Sequence, residues 1–299
     1  MRGFPFVLTL IIPACMSTQE PVPLARLENA VEAACARTPD QDVCVAFRDL
    51  GTGRTLLRDA DVVLHAASTM KVAVMLETYR QHEAKRLDLD RPMRVHATFK
   101  SILDGSPYDV GQEDDSEADL YAHLGESLPT RDLVQRMMVR SSNLATNILI
   151  EALDASSVQE TLGSLGCRDM KVLRGVEDTP AFEAGLNNVT TARDLMVLLQ
   201  AIHQGRGVSA ASREAMIATL RAQEFNDLIP AGVEPGTPVA HKTGQITGIR
   251  HDAAIVYPKD RSPYVLVVLT RGFDDKEAAG AVIREISRTV WTHVNQESP

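Results

Sequence analysis

Ser68 and Lys71 stand three residues apart in "HAASTMKVAVMLETYRQ", residues 65–81, a stretch otherwise built of helix-forming residues. Residues three or four apart share a helical face, so this hydroxyl and this amine can meet. A serine hydroxyl is a weak nucleophile until a neighbour takes its proton, and a lysine can do so only as the neutral amine. Burial and a second cation nearby both favour that form. Taken alone, the pair describes a capping serine and a surface lysine equally well. Two more reactive groups recur downstream: Ser141-Ser142-Asn143 inside "MVRSSNLATNILIE", and Lys242-Thr243-Gly244 inside "VAHKTGQITGIRHDAAIVYP".

The elements that would position these groups change character twice along the chain. Leu24 to Ala36 reads as a helix, and Asp42–Leu50 and Arg54–Arg58 read as strands of a hairpin around Gly51-Thr52-Gly53. From Ser68 to about Glu224 the period is helical, broken by an acidic loop, Gly111–Asp119, and by Pro129-Thr130, which caps a helix from Arg131. Strands return at Val239–Gln245, His251–Tyr257 and Tyr264–Thr270, and the helix Lys276–Val294 closes the chain. The pattern predicts an α+β fold: an antiparallel five-stranded sheet covered by terminal helices, formed by residues 22–67 and 226–299, with an all-helical insert at 68–225. A cleft at their junction would collect Ser68, Ser141 and Lys242.

Composition narrows the function. The chain has 299 residues, 44% hydrophobic and 24% charged, as in globular proteins, and its formal charge of -9 argues against nucleic acid as a partner. The start, MRGFPFVLTLIIPAC, has the pattern of an export signal, and its apolar run is too short to span a bilayer. Ile12-Pro13-Ala14-Cys15 also resembles a lipoprotein cleavage box. Two outcomes follow, a soluble periplasmic product or a lipid anchor to the membrane through Cys15. In an oxidising compartment Cys35 and Cys44 read either as a disulfide or as two buried thiols. No His-Glu-x-x-His, Cys-x-x-Cys, phosphate loop or Gly-x-Ser-x-Gly elbow occurs, so no metal and no cofactor is expected.

With its three motifs in this order, the sequence resembles the β-lactamase/DD-peptidase-like serine hydrolases, the class A β-lactamases and related penicillin-binding proteins. Ser68-Thr69-Met70-Lys71, Ser141-Ser142-Asn143 and Lys242-Thr243-Gly244 carry the resemblance, which spans nearly the whole chain after the export signal. It departs at Ser142, where the family often has aspartate. The resemblance implies Ser68 as nucleophile, Lys71 as its base and Ser141 as proton relay beside Lys242. It gives Asn143 the substrate amide, Lys242 and Thr243 the substrate carboxylate, and the backbone N–H groups of Ser68 and Gln245 the oxyanion. Arg250 is a further candidate for the carboxylate.

Rapid hydrolysis of an acyl-serine also needs a carboxylate to activate water. In "RGVEDTPAFEAGLNNVTTARDL", residues 174–195, Glu183 and Asn187 show the spacing of a water-holding pair. Glu183 is the expected deacylation base; the alternative reading is an exposed acid, with Glu177 or Asp178 as partners for Arg174 or Arg193. The resulting expectation is a monomeric serine β-lactamase acting on a small-molecule β-lactam. The alternative is a D-alanyl-D-alanine peptidase acting on a peptidoglycan peptide.

Overall fold

The computed structural model of the chain describes residues 24–296. The segment expected to be an export signal, with Cys15, lies outside the described residues. Five antiparallel strands form one sheet, in the order Thr55–Arg58, Asp42–Asp49, Tyr264–Arg271, Ile249–Val256, Val239–Ile246. The early strand Asp42–Asp49 pairs along its length with the last, Asp42 opposite Arg271 and Asp49 opposite Tyr264, which joins the two chain ends.

Both sheet faces are covered, which is why Tyr264–Arg271 reads YVLVVLTR instead of alternating. One face packs Val45, Phe47, Leu266 and Val268 against the terminal helices Leu24–Cys35 and Lys276–Gln296. The other packs Ala46, Ile255, Val267 and Leu269 against the helical body. This is the α+β architecture implied by the sequence. At the centre of the body lies the helix Lys71–Glu83, buried continuously from Lys71 to Tyr79. Its run Val72–Leu76 is wholly apolar and belongs in a core, so the amine of Lys71 is carried inside with it.

One detail differs from the sequence expectation, and one open alternative is decided. The insert is not purely helical: Pro92–Arg94 pairs with Ser127–Pro129, and Thr98–Lys100 with Pro107–Asp109. Strands of three residues are too short to display a period. Of the two readings of Cys35 and Cys44, the disulfide is absent. Both are buried free thiols, Cys35 in the core on the terminal-helix side of the sheet and Cys44 in the core on the insert side.

Candidate active site

Ser68 sits in a 3₁₀ turn, Ala67–Met70, that runs directly into the helix starting at Lys71. In such a turn residues three apart eclipse, which aligns Ser68 with Lys71. Thr69 Oγ1 donates to the Ala66 carbonyl at 2.6 Å and fixes the turn from beneath. The strand Leu64–His65 that feeds the turn pairs with Val189–Thr190, tying it to the end of the loop 174–188.

The edge strand Val239–Ile246 closes the other side. A Cβ on Gly244 would lie 3.1 Å from Thr69 Cγ2, 3.2 Å from Ala67 Cβ and 3.2 Å from the Ser68 nitrogen. Glycine is therefore what lets this strand approach the nucleophile turn and bring the backbone of Gln245 beside that of Ser68.

The second motif opens the helix Asn143–Leu153. Ser142 Oγ caps it, accepting from Ala145 N at 3.1 Å, and donates to Asp115 Oδ2 at 3.2 Å. Asp115 also accepts from Leu144 N at 2.8 Å and Tyr121 OH at 3.2 Å. A carboxylate from the acidic loop thus anchors the motif in which Ser142 replaces an acid.

All three motifs meet. Lys71 Nζ donates to the Ser141 carbonyl at 2.6 Å, to Ser141 Oγ at 3.2 Å and to Asn143 Oδ1 at 2.9 Å. Lys242 Nζ donates to Ser141 Oγ at 3.0 Å and to the Thr243 carbonyl at 2.9 Å. The hydrogen bonds of Lys71 thus go to Ser141 and Asn143, while Ser68 lines the cleft above. Complete burial pushes the Lys71 ammonium down to about 7, against the upward pull of the Asp115 and Glu177 carboxylates. Burial, and then the charge of Lys71, push Lys242 well below the usual lysine range, opposed by Asp252.

The carboxylate that the loop brings to this cluster is Glu177. Asn143 Nδ2 donates to Glu177 Oε1 at 3.3 Å, so one carboxamide bridges Lys71 and Glu177. Burial raises the Glu177 carboxyl, Asp114 adds to the rise, and Arg174 and Lys71 oppose it. Glu183, the sequence candidate, is exposed and lines neither part of the cleft. The reason is local: the helix Thr179–Glu183 is five residues long and ends at Glu183, so Asn187 does not lie one turn further along it. Asn187 Oδ1 instead accepts from Arg174 at 3.2 Å.

Arg174 donates to the carbonyls of Leu186 and Gly175 at 3.0 and 2.9 Å and stands 5.6 Å from the Phe182 ring centroid. Asp178 caps the short helix, and Arg193 pairs with Asp61. Three residues at the cleft, Ala67 (φ 45°), Ser141 (φ 61°) and Glu177 (φ 62°), hold positive φ without being glycine. Such strain is sustained only where surrounding bonds enforce it. At Ser141 the enforcing bond is that from Lys71 to its carbonyl.

The cleft has two lobes that share Ser68, Asp114, Asn143 and Gln245. One, about 460 Å³, runs beneath the loop past Glu177, Phe182 and His65. The other, about 520 Å³, runs past Ser141 and Thr243 to Arg250. Arg250 is nearly buried; it pairs with Asp227 and donates to the Lys276 carbonyl at 2.5 Å, and its guanidinium fills the space a side chain on Gly280 would need.

Glu177, Asp115 and Asn147 are the site residues that sequence reasoning missed. Asn147 carried a readable signal, since it follows Asn143 by one helical turn. Glu177 and Asp115 sit in acidic loops where nothing local distinguishes them.

Comparison with known proteins agrees with this fold. A β-lactamase of Bacillus amyloliquefaciens is 26% identical over 245 residues, covering 80% of this chain and 75% of its own. A β-lactamase of Streptomyces fradiae is 26% identical over 274 residues, covering 88% and 85%. Among solved structures, the β-lactamase from Sphaerobacter thermophilus superposes with a TM-score of 0.78 at 27% identity, covering 93% of this chain and all of the other. A mutant of PBP-A, captured as its acyl-enzyme complex with penicillin G, gives 0.78 at 25% identity with 93% and 100% coverage. The β-lactamase enzyme family matches residues 26–294, and the chain belongs to it.

Proposed function

We propose that the protein is a serine β-lactamase that opens the lactam amide through an acyl-ester on Ser68 and hydrolyses that ester with water deprotonated by Glu177. The observation that carries this reading is the bridge Lys71–Asn143–Glu177, which supplies one base for each half of the reaction.

In the first half, neutral Lys71 takes the Ser68 proton and Oγ attacks the lactam carbonyl. The backbone N–H groups of Ser68 and Gln245 receive the developing oxyanion, an interaction worth about 3 kcal/mol per donor in other hydrolases. Ser141, held between the two lysines, passes a proton to the leaving nitrogen as the C–N bond breaks. In the second half Glu177 takes a proton from water, hydroxide attacks the ester, and the proton returns to Ser68. The lobe at Thr243 and Arg250 suits the substrate carboxylate, and the lobe beneath the loop suits its acyl side chain.

The signal pattern in residues 1–15 supports action outside the cytoplasm, with the enzyme free in the periplasm or held at a membrane through a lipidated Cys15. We expect a monomer whose cleft lies between the unit 22–67 plus 226–299 and the insert 68–225.

The likeness to PBP-A favours a second reading, a penicillin-binding peptidase that is acylated and then stalls. Turnover of a chromogenic cephalosporin, with mass spectrometry of the quenched mixture, separates the two. Sustained turnover is expected, with a trapped Ser68 adduct in Glu177→Gln and near-normal turnover in Glu183→Gln. A single burst in the unmutated protein would assign the peptidase reading, and neither turnover nor an adduct would sink both.

A further inference from the structure

The strand that carries Lys242 and Gly244 toward the cleft carries His241 on its opposite face, beside Asp252 of the neighbouring strand. Both side chains are completely buried, and His241 Nδ1 lies 2.9 Å from Asp252 Oδ1. The other atoms of the pair point the same way, toward the segment leading to Ile229. Asp252 Oδ2 accepts from Ile229 N at 3.0 Å. His241 Nε2 faces Asn226 Oδ1 at 3.2 Å. The orientation of that amide is fixed, because Asn226 Nδ2 donates to the Gln223 carbonyl at 2.8 Å. Nε2 therefore meets an oxygen.

The segment is thus pinned at Asn226 by His241 and at Ile229 by Asp252. Between the two pins hang Asp227 and Leu228, which line the lobe that holds Thr243 and Arg250. Asp227 is the acid that pairs with Arg250. A buried acid and imidazole cost desolvation that two apolar side chains would avoid, so their return must be in geometry. The geometry they define is the far wall of this lobe.

We propose that His241 and Asp252 are positioning residues for substrate-carboxylate binding: they hold Asn226–Ile229 so that Asp227 presents the Arg250 guanidinium to the cleft. This rests on reading that lobe as the carboxylate site of a β-lactamase. Neither residue touches the reacting atoms, so their effect falls on binding and leaves acyl transfer intact.

The test uses Asn226→Ala, which removes the oxygen facing His241 Nε2 from an exposed residue and leaves His241 and Asp252 themselves in place. Benzylpenicillin and its methyl ester, which lacks the anion, are compared as substrates. KM for the free acid is expected to rise about tenfold with kcat held within about threefold, while kcat/KM for the ester stays unchanged. Asn226→Asp keeps an acceptor for His241 and should hold KM within about threefold of the unmutated enzyme. An unchanged KM in Asn226→Ala, or an equal effect on acid and ester, overturns the proposal. Absence of turnover in the unmutated protein together with absence of any Ser68 adduct in it and in Glu177→Gln removes the β-lactamase reading and this proposal with it, an outcome distinct from the other two.

Discussion

Asn147 grips Val176 by both of its backbone groups: the Val176 N–H donates to Oδ1 at 2.7 Å, and Nδ2 donates to the Val176 carbonyl at 2.9 Å. The next residue is Glu177, held at φ 62°. The helix Asn143–Leu153 therefore fixes the loop carboxylate twice, touching its oxygen through Asn143 and its backbone through Asn147. Gly175 belongs to the same lock, since a Cβ there would lie 2.6 Å from Tyr108 OH and 2.7 Å from Asn147 Oδ1.

Asn147→Ala removes both bonds and lets the loop relax from its strained turn. Deacylation is expected to slow about a hundredfold, because a small misplacement of a base is costly, while acylation changes less than about tenfold. With the bond from Asn147 Nδ2 to Tyr108 OH at 3.2 Å, three hydrogen bonds in a part-buried site are lost, which should lower stability by about 3 kcal/mol. Pre-steady-state bursts with a chromogenic cephalosporin and a urea midpoint measure the two effects. Equal loss in both chemical steps would mean that Asn147 supports the whole cleft and not Glu177 in particular.

The pH dependence of acylation follows from Lys71. Burial holds its ammonium at about 7, so above that pH the amine is neutral and able to accept the serine proton. Acylation should be flat above about pH 7 and fall about tenfold per unit below it. Glu177 pulls Lys71 upward, so Glu177→Gln removes part of that pull and moves the acid limb to lower pH. Single-turnover acylation of both proteins across pH checks the sign. A limb displaced to higher pH in the variant would contradict the assignment of Lys71 as base.

Gly244→Ala tests the oxyanion site. The added methyl would crowd Ala67, Ser68 N and Thr69, all at 3.1–3.2 Å, and the strand and turn must separate by a few tenths of an ångström. That movement spreads the N–H groups of Ser68 and Gln245, so acylation should fall about tenfold or more with little change in melting temperature. Acylation rate and thermal melt, measured together, decide it. An unfolded variant would assign Gly244 to packing alone.

What the sequence made legible was whatever local pattern encodes. The three motifs are short local patterns, and the apolar run at Tyr264 announces a covered strand, so the fold and the meeting of Lys71, Ser141 and Lys242 beside the cleft that Ser68 lines could be read. The choice between Glu177 and Glu183 could not, because it depends on Asn143 and Asn147 reaching across from another helix. The Glu183–Asn187 spacing would have been meaningful on a continuous helix, and the helix stops at Glu183. Arg250 was recognisable as a cation near the lysine strand, whereas its acid partner Asp227 lies 23 residues earlier on a segment without periodicity. The side of the sheet on which Cys35 packs was equally hidden.

The strand Asp42–Asp49 is buried on both faces, so alternation in its sequence does not say which way Cys44 points. In the structure it faces the insert with Ala46, while Cys35 packs with Leu27 and Val31 beyond the opposite face. Bridging them would require the sheet to be crossed, and disulfide geometry allows no such span. Burial also pushes the thiols up, to about 11 for Cys35 and about 12 for Cys44, which suppresses the thiolate that would start an exchange. Protein recovered from an oxidising compartment should therefore take up alkylating reagent at Cys35 and Cys44 only after denaturation, without prior reduction. Peptide mapping that finds the two cysteines linked would mean that the N-terminal helix packs differently from the arrangement described here.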